Sequence, residues 1–335
     1  MMRLVGVELR RLSSRRLVRL LILGVFAMLT LVAGVQASHH TTDITGVREQ
    51  VRQDVLSVQA SGGIFGVICP DGVQPGYAAD GNGPIIPPGC RALTVDEAVD
   101  QQMQWRDTRF LFARDAPKMV VTGMVIAGLL GFVLSASGIG AEWNSGMFAS
   151  LLTWEPRRSR VLAAKTGAAV LFFTVVGAAV IGFQLLAAAA TAQTRGSFVG
   201  MTGEVTRTLA SASGRGIGLV ALCAAAGTAL AGIARSTAGA MAILGGYLVA
   251  VELGLRGLLN DDTRWLLSTN AQALVTGQTR IWLFDSGAGS ATGQLQSGRD
   301  MVVVISAGRA AVFIGVIVLA VTLVHAVVLQ RRDAT

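Results

Sequence analysis

The chain has 335 residues, 52% of them hydrophobic and 14% charged, with a mean hydropathy of +0.58. A soluble domain carries about a quarter charged residues, so this balance argues against a soluble enzyme. The net charge of +8 does not imply nucleic acid, because such a surface needs clustered, exposed cations on a soluble face, and here they flank apolar runs.

Six apolar runs of membrane-spanning length stand out: Leu17–Ala37, Met119–Gly138, Val161–Ala190, Gly216–Ala234, Ala238–Leu255 and Ala310–Leu329. Lipid offers backbone groups no partner, so such runs must be helices. The expected fold is an all-α polytopic membrane protein with six transmembrane helices, an N-terminal interfacial helix and a small exoplasmic domain between helices 1 and 2.

The opening MMRLVGVELRRLSSRRLVRLL places Leu4, Val7 and Leu12 roughly on one helical face among Arg3, Arg10, Arg11, Arg15, Arg16 and Arg19. It reads as an interfacial helix over 1–16 on the cytoplasmic leaflet. An uncleaved first span over 17–37 follows, since its run of about 21 residues exceeds the usual signal-peptide core. Residues 38–118 form the exoplasmic domain, with helical stretches Val47–Val58 and Thr94–Ala113 around a Gly- and Pro-rich middle. Thr94 and Glu97 make a capping-box pattern. Cys69 and Cys90 are expected to pair as a disulfide if this side is oxidising. A metal pair using His39 and His40 is the alternative, but it lacks ligand spacing.

The second span covers 119–138 and is followed by a cytoplasmic loop over 139–160. The third covers 161–190, then an exoplasmic loop over 191–215. A tight turn at 235–237, carrying Arg235, joins spans at 216–234 and 238–255. Residues 256–300, with Trp265 and Trp282, read as a re-entrant or interfacial exoplasmic segment. The last span is placed at 301–329 and a cytoplasmic tail at 330–335. With the N-terminus inside, the inner segments and their flanking span ends (1–19, 139–165, 234–237 and 330–335) hold 13 of 28 cations and four acids, Glu8, Glu142, Glu155 and Asp333, whereas 38–118 holds seven cations and ten acids. That is the positive-inside pattern, and it places both termini in the cytoplasm and the chain in the cell membrane.

The stretch EWNSGMFASLLTWEPRRSRVLAAK, Glu142 to Lys165, carries an amphipathic segment, a stop at Pro156, and the cations Arg157, Arg158, Arg160 and Lys165. Its pattern of Glu142, Gly146, Leu151-Leu152, Pro156, arginines and a Lys inside the next helix resembles the first cytoplasmic loop of ABC-2 type exporter permeases. The resemblance implies that Glu142, Gly146, Leu151 and Leu152 form a coupling helix, that Pro156, Arg157, Arg158 and Arg160 end and anchor it, and that Arg235 sits in a second coupling contact. It implies as partners two copies of an ABC ATPase, which carries the ATP and Mg, together with a second permease chain, same or homologous, and membrane lipid. The pathway would run through the dimer interface and carry an amphiphile such as a drug, lipid or peptide outward. The domain-sized 38–118 segment departs from many relatives.

Motifs agree that the chain does not hydrolyse ATP itself. Its only lysines, Lys118 and Lys165, follow Pro117 and Ala164, so there is no G-x-x-x-x-G-K-[ST] loop. There is no H-E-x-x-H, C-x-x-C or G-x-S-x-G, and His39, His40 and His325 are dispersed. An ion-coupled transporter is the first alternative. Its only clear carboxylate within a span is Glu252, four residues before Arg256, and a structural ion pair is the favoured reading over a proton relay. A membrane sensor or scaffold built on 38–118 is the second alternative.

Overall fold

In this computed structural model the structure describes residues 2–40, 43–63, 66–69, 76–77, 84–86, 88–155, 157–255, 263–283 and 301–331. In chain order the helices are α1 (Met2–Ser14), α2 (Arg16–His39), α3 (Thr45–Ala60), α4 (Val95–Arg106), α5 (Phe112–Asn144), α6 (Met147–Trp154), α7 (Arg158–Arg195), α8 (Gly203–Ala234), α9 (Thr237–Tyr247), α10 (Leu267–Thr276) and α11 (Ala307–Arg331). The strands are β1 (Val67–Ile68), β2 (Gly76–Tyr77), β3 (Pro84–Ile85), β4 (Arg91–Ala92), β5 (Phe110–Leu111), β6 (Gly196–Ser197), β7 (Gln278–Leu283) and β8 (Met301–Ser306).

Among the described residues, six helical segments are long and apolar enough to cross a membrane: α2, α5, α7, α8, Thr237–Gly254 and α11. Along α2 and α11, Leu20, Leu23, Leu31, Val312, Leu319 and Leu323 face outward. A soluble helix would carry polar side chains there, whereas a bilayer accepts them. The chain is a multi-pass helical membrane protein.

The chain divides into two compact units, the first comprising Met1–Ala33, Ala113–Ala189 and Gly200–Thr335, the second Gly34–Phe112 and Ala190–Val199. In the first, α8 buries Gly216, Ala224, Ala225, Gly227, Ala229 and Ala231, small side chains that allow close helix packing. The fifth span continues from α9 as a π-helix over Leu248–Leu255. α10 and the β7–β8 hairpin pack on α8 and α11 through Leu219, Leu274, Ile281, Ile305 and Ile314.

Two expectations are corrected here. Residues 301–306, placed in the last span, are instead strand β8, paired antiparallel with β7 from Gln278↔Ser306 to Leu283↔Met301. The run Val302, Val303, Val304, Ile305 is β-branched, which suits a pleated surface. Its period is two: Ile305 is buried while Val302 and Val304 face out. Residues 203–215, placed in a loop, are the first turns of α8, whose N-terminus Thr202 caps by accepting from the Val205 amide at 3.2 Å. A hydropathy scan misses these polar turns because the helix outruns its apolar stretch.

In the second unit, α3 and α4 pack through Val51, Val55, Ala98, Val99 and Met103. Arg48 pairs with Asp100 at 2.8 Å and Arg106 with Asp54 at 2.7 Å. Between these helices in the chain, β1 and β4 pair antiparallel, Val67↔Ala92 and Ile68↔Arg91. The Cys69–Cys90 disulfide sits at the neck of that pairing. The capping box is present: Thr94 accepts from the Glu97 amide, and Glu97 accepts from the Thr94 amide at 2.9 Å. Arg91 grips Glu97 with two bonds of 2.6 and 2.7 Å. That guanidinium, followed by the Thr94 amide and hydroxyl, holds the Glu97 carboxyl down to about 2.

Because the folded Glu97 is depressed, its contribution to stability is present above its ordinary value of 4.5 and lost as pH falls through about 2. Nuclear magnetic resonance titration of its carboxyl should give a midpoint near 2, moving upward in Arg91→Ala. Replacing both disulfide cysteines by serine should cost this unit about 3 kcal/mol, read as faster amide exchange at Val51 and Val55. Unchanged exchange would show that the bridge does not support the helix pair.

Candidate functional site

The stretch from Glu142 to Lys165 gathers charge where polar groups are expensive. Glu142 lies two residues before the end of α5, Lys165 two turns into α7, and Glu8 on the amphipathic α1. Their relative exposures are 4%, 5% and 9%. The Lys165 ammonium donates to Glu142 Oε2 at 2.5 Å and to Glu8 Oε1 at 2.9 Å. Arg15 approaches Glu142 Oε1 at 3.5 Å and donates to the Gly138 carbonyl at 3.3 Å. Arg11 reaches Glu8 at 3.5 Å from a more exposed position. Two buried carboxylates are thus balanced by Lys165 and Arg15, with one cation shared between two acids.

Beyond Glu142 the chain turns at Gly146, whose φ of 70° is the left-handed region glycine tolerates best. This releases α6 at a new angle. Phe148 is the anchor of α6: it is buried with Leu162 and Leu329 and stacks on Trp143 at 4.4 Å. Lys165 lies 5.9 Å from the Phe148 ring centroid, so the ionic and aromatic parts of the site are contiguous. The Arg235 guanidinium sits 4.8 Å from the centroid of Trp143, a cation–π distance. The turn carrying Arg235 approaches α5 closely because Gly140 has no side chain; a Cβ there would collide with Thr237. Arg235 and the Glu142–Lys165 stretch therefore belong to one assembly.

The other face of α6 points away from the protein. Trp154 is 90% exposed, the highest value among the large apolar side chains described, and Met147 is exposed beside the Gly146 turn. Leu151 is half-buried; the Leu152 side chain and Pro156 lie outside the described residues. Arg157 is exposed. Arg160 approaches Glu155 at 3.6 Å. Arg158 donates to the Leu329 carbonyl at 2.7 Å, occupying an orphan acceptor at the C-terminal end of α11 where a cation is favoured.

The remaining candidates are dispersed. Glu252 is buried and accepts from the Tyr247 hydroxyl at 2.9 Å, the Ser268 amide at 2.9 Å and the Ser268 hydroxyl at 2.5 Å. Arg256, its proposed ion-pair partner, lies outside the described residues. The Glu252 carboxylate caps α10, whose own N-cap residue, Leu266, offers no side-chain bond. The ring of His40 lies 2.9 Å from the Thr108 carbonyl and edge-on to Phe110. Among the described residues no group of three or more His, Cys, Asp or Glu could hold a metal. His325 is buried on α11 against Gly232, and neither ring nitrogen has a hydrogen-bond partner.

Sequence reasoning missed Glu8, Arg15, Phe148 and Trp154. A signal existed for Glu8, the lone acid among the six arginines of residues 1–19. None existed for Trp154, because exposure depends on how α6 docks. No protein-family model, curated protein or solved structure matches the chain.

Breaking a buried ion pair from one side leaves an unpaired charge and costs about 3–5 kcal/mol. Lys165→Met should therefore lower thermal stability sharply. Glu142→Gln/Lys165→Met removes one charge of each sign and should recover part of the loss. A double variant no better than the sum of its singles would show that the pair is not coupled.

Proposed function

We propose that this chain is the permease subunit of an ATP-driven exporter of the ABC-2 type, moving an amphiphilic compound outward. It would work with two copies of a separate ABC ATPase and a second permease chain, same or homologous. The observation that carries the reading is α6: a short helix between two candidate spans, held from behind by Phe148 and presenting Trp154 almost bare. Exposed tryptophans in water are rare and are prominent among binding hot spots.

Three further points support it. The distribution of cations favours a cytoplasmic face for α1, α6, the Arg235 turn and the end of α11. The Cys69–Cys90 bridge suits a second unit facing an oxidising space. The sequence carries no phosphate loop, so ATP chemistry would be supplied by the partner. In this reading α6 and the Arg235 turn are the coupling contacts, and α1 is the interfacial helix on the same leaflet. A push on α6 would reach α7 and α11 through Phe148, and α1 and α5 through the Lys165 bridge. The ion-coupled alternative has less support, since Glu252 is occupied as a helix cap.

The test is affinity capture of the tagged full-length chain from its native membrane. An ATPase subunit should co-purify, and Trp154→Ala should weaken its retention about thirtyfold, the effect of losing roughly 2 kcal/mol at a hot spot. The melting temperature of the chain should not change, because Trp154 is solvent-facing. Transport against a gradient by the purified chain alone would overturn the proposal.

A further inference from the structure

A cavity of about 360 Å³ lies within the first unit between α5, α8, α9, α10 and α11. Its floor is Phe132, Leu219 and Ile314, all buried, while Ile243 is exposed at its mouth. The lining is apolar except for Tyr247 and Cys223. The Tyr247 hydroxyl is already committed, donating to Glu252 at 2.9 Å and accepting from the Leu267 amide at 3.0 Å. A polar ligand group placed here would lose its water without gaining a partner, at a cost of about 1–3 kcal/mol. The chemistry selects hydrocarbon.

Size and shape narrow the occupant further. The volume of 360 Å³ is more than twice the roughly 150 Å³ that holds one benzene. On α8 the lining runs from Leu219 to Leu230, eleven residues or about 16 Å of helix rise. That is roughly half of a hydrocarbon core about 30 Å thick, the depth of one leaflet. The volume spread over this length gives a slot about 5 Å across, one carbon chain wide at contact distances of roughly 3.5–4.0 Å.

We propose that this crevice binds a single acyl chain of a bilayer lipid, lying along the α8 axis with its methylenes against Leu222, Cys223 and Ala226. This inference does not depend on the transport reading, since it rests on the lining of one chain.

The full-length protein would be reconstituted in vesicles of phosphatidylcholine carrying a photoactivatable diazirine midway along one acyl chain. After irradiation, adducts on Leu222, Cys223 and Ala226 should outnumber those on Leu319 and Leu323, which face out from α11. Ala226→Trp should reduce the crevice adducts about tenfold, equivalent to losing roughly 1.4 kcal/mol of affinity, and leave the outward adducts unchanged. Should that variant not fold, the wild-type protein still decides. Cys223 is its one cysteine outside the disulfide, and soaking in excess unlabelled phosphatidylcholine should slow its alkylation by N-ethylmaleimide. Equal labelling of crevice and outward residues would overturn the proposal, as would chain-to-chain crosslinks at Cys223 in place of lipid adducts.

Discussion

Lys165 ties three helices together at one buried point. Its ammonium lies between Glu8 of α1 and Glu142 of α5 while its own backbone belongs to α7. Burying three such charges is favourable only if each is compensated, since an isolated ion at this depth costs several kcal/mol. The identity of the cation matters as much as its charge. An ammonium is a compact donor with three protons on a flexible stem, able to serve two carboxylates at once, whereas a guanidinium is a planar fork suited to one. Only two of the chain's 28 cations are lysines, and one of them occupies the position that an arginine would fill poorly. Arg15, reaching Glu142 from the junction between α1 and α2, then brings the balance close to neutral.

Glu252, a buried acid elsewhere in the fold, solves a different problem. α10 is a ten-residue helix whose first amides would be unpaired among apolar neighbours, and helix termini leave such groups without internal partners. Glu252 accepts from the Ser268 amide, and Tyr247 accepts from the Leu267 amide while donating to Glu252. Two side chains of the fifth span thereby supply the cap that the local sequence lacks. A negative charge at a helix N-terminus is also stabilised by the aligned peptide dipoles. Seen this way, a carboxylate in a span is a structural requirement of the short helix packed beside it.

These two sites show what a sequence can disclose. The six apolar runs were legible because lipid forces every long one to be a helix, and all six appear as helices of spanning length. The Cys69–Cys90 pair and the Thr94 capping box were legible because both are short patterns with their own local chemistry. The β7–β8 hairpin was not, since its β-branched strand runs directly into the apolar start of α11 and hydropathy does not distinguish the two. The partners of Lys165 were also hidden: Glu8 is 157 residues away, and no periodicity links positions that distant. Glu252 was found as a carboxylate within a span, but its bonds to Ser268, 16 residues away, have no periodicity to mark them.

Glu8, Glu142, Lys165 and Glu252 share one arrangement. Each of these four either belongs to a short helix or ties one down: α1 through Glu8, α10 through Glu252, and the base of α6 through Glu142 and Lys165. By contrast, α8 meets its neighbours largely through Gly, Ala and other apolar side chains. Dispersion contacts between small residues are individually weak and change gradually with displacement, whereas an ion pair in a dry site has a steep penalty for separation. Force applied to a short helix would therefore pass to the helix ends with little slack. The apolar interior could adjust more easily, and the crevice beside α8 lies in that softer region.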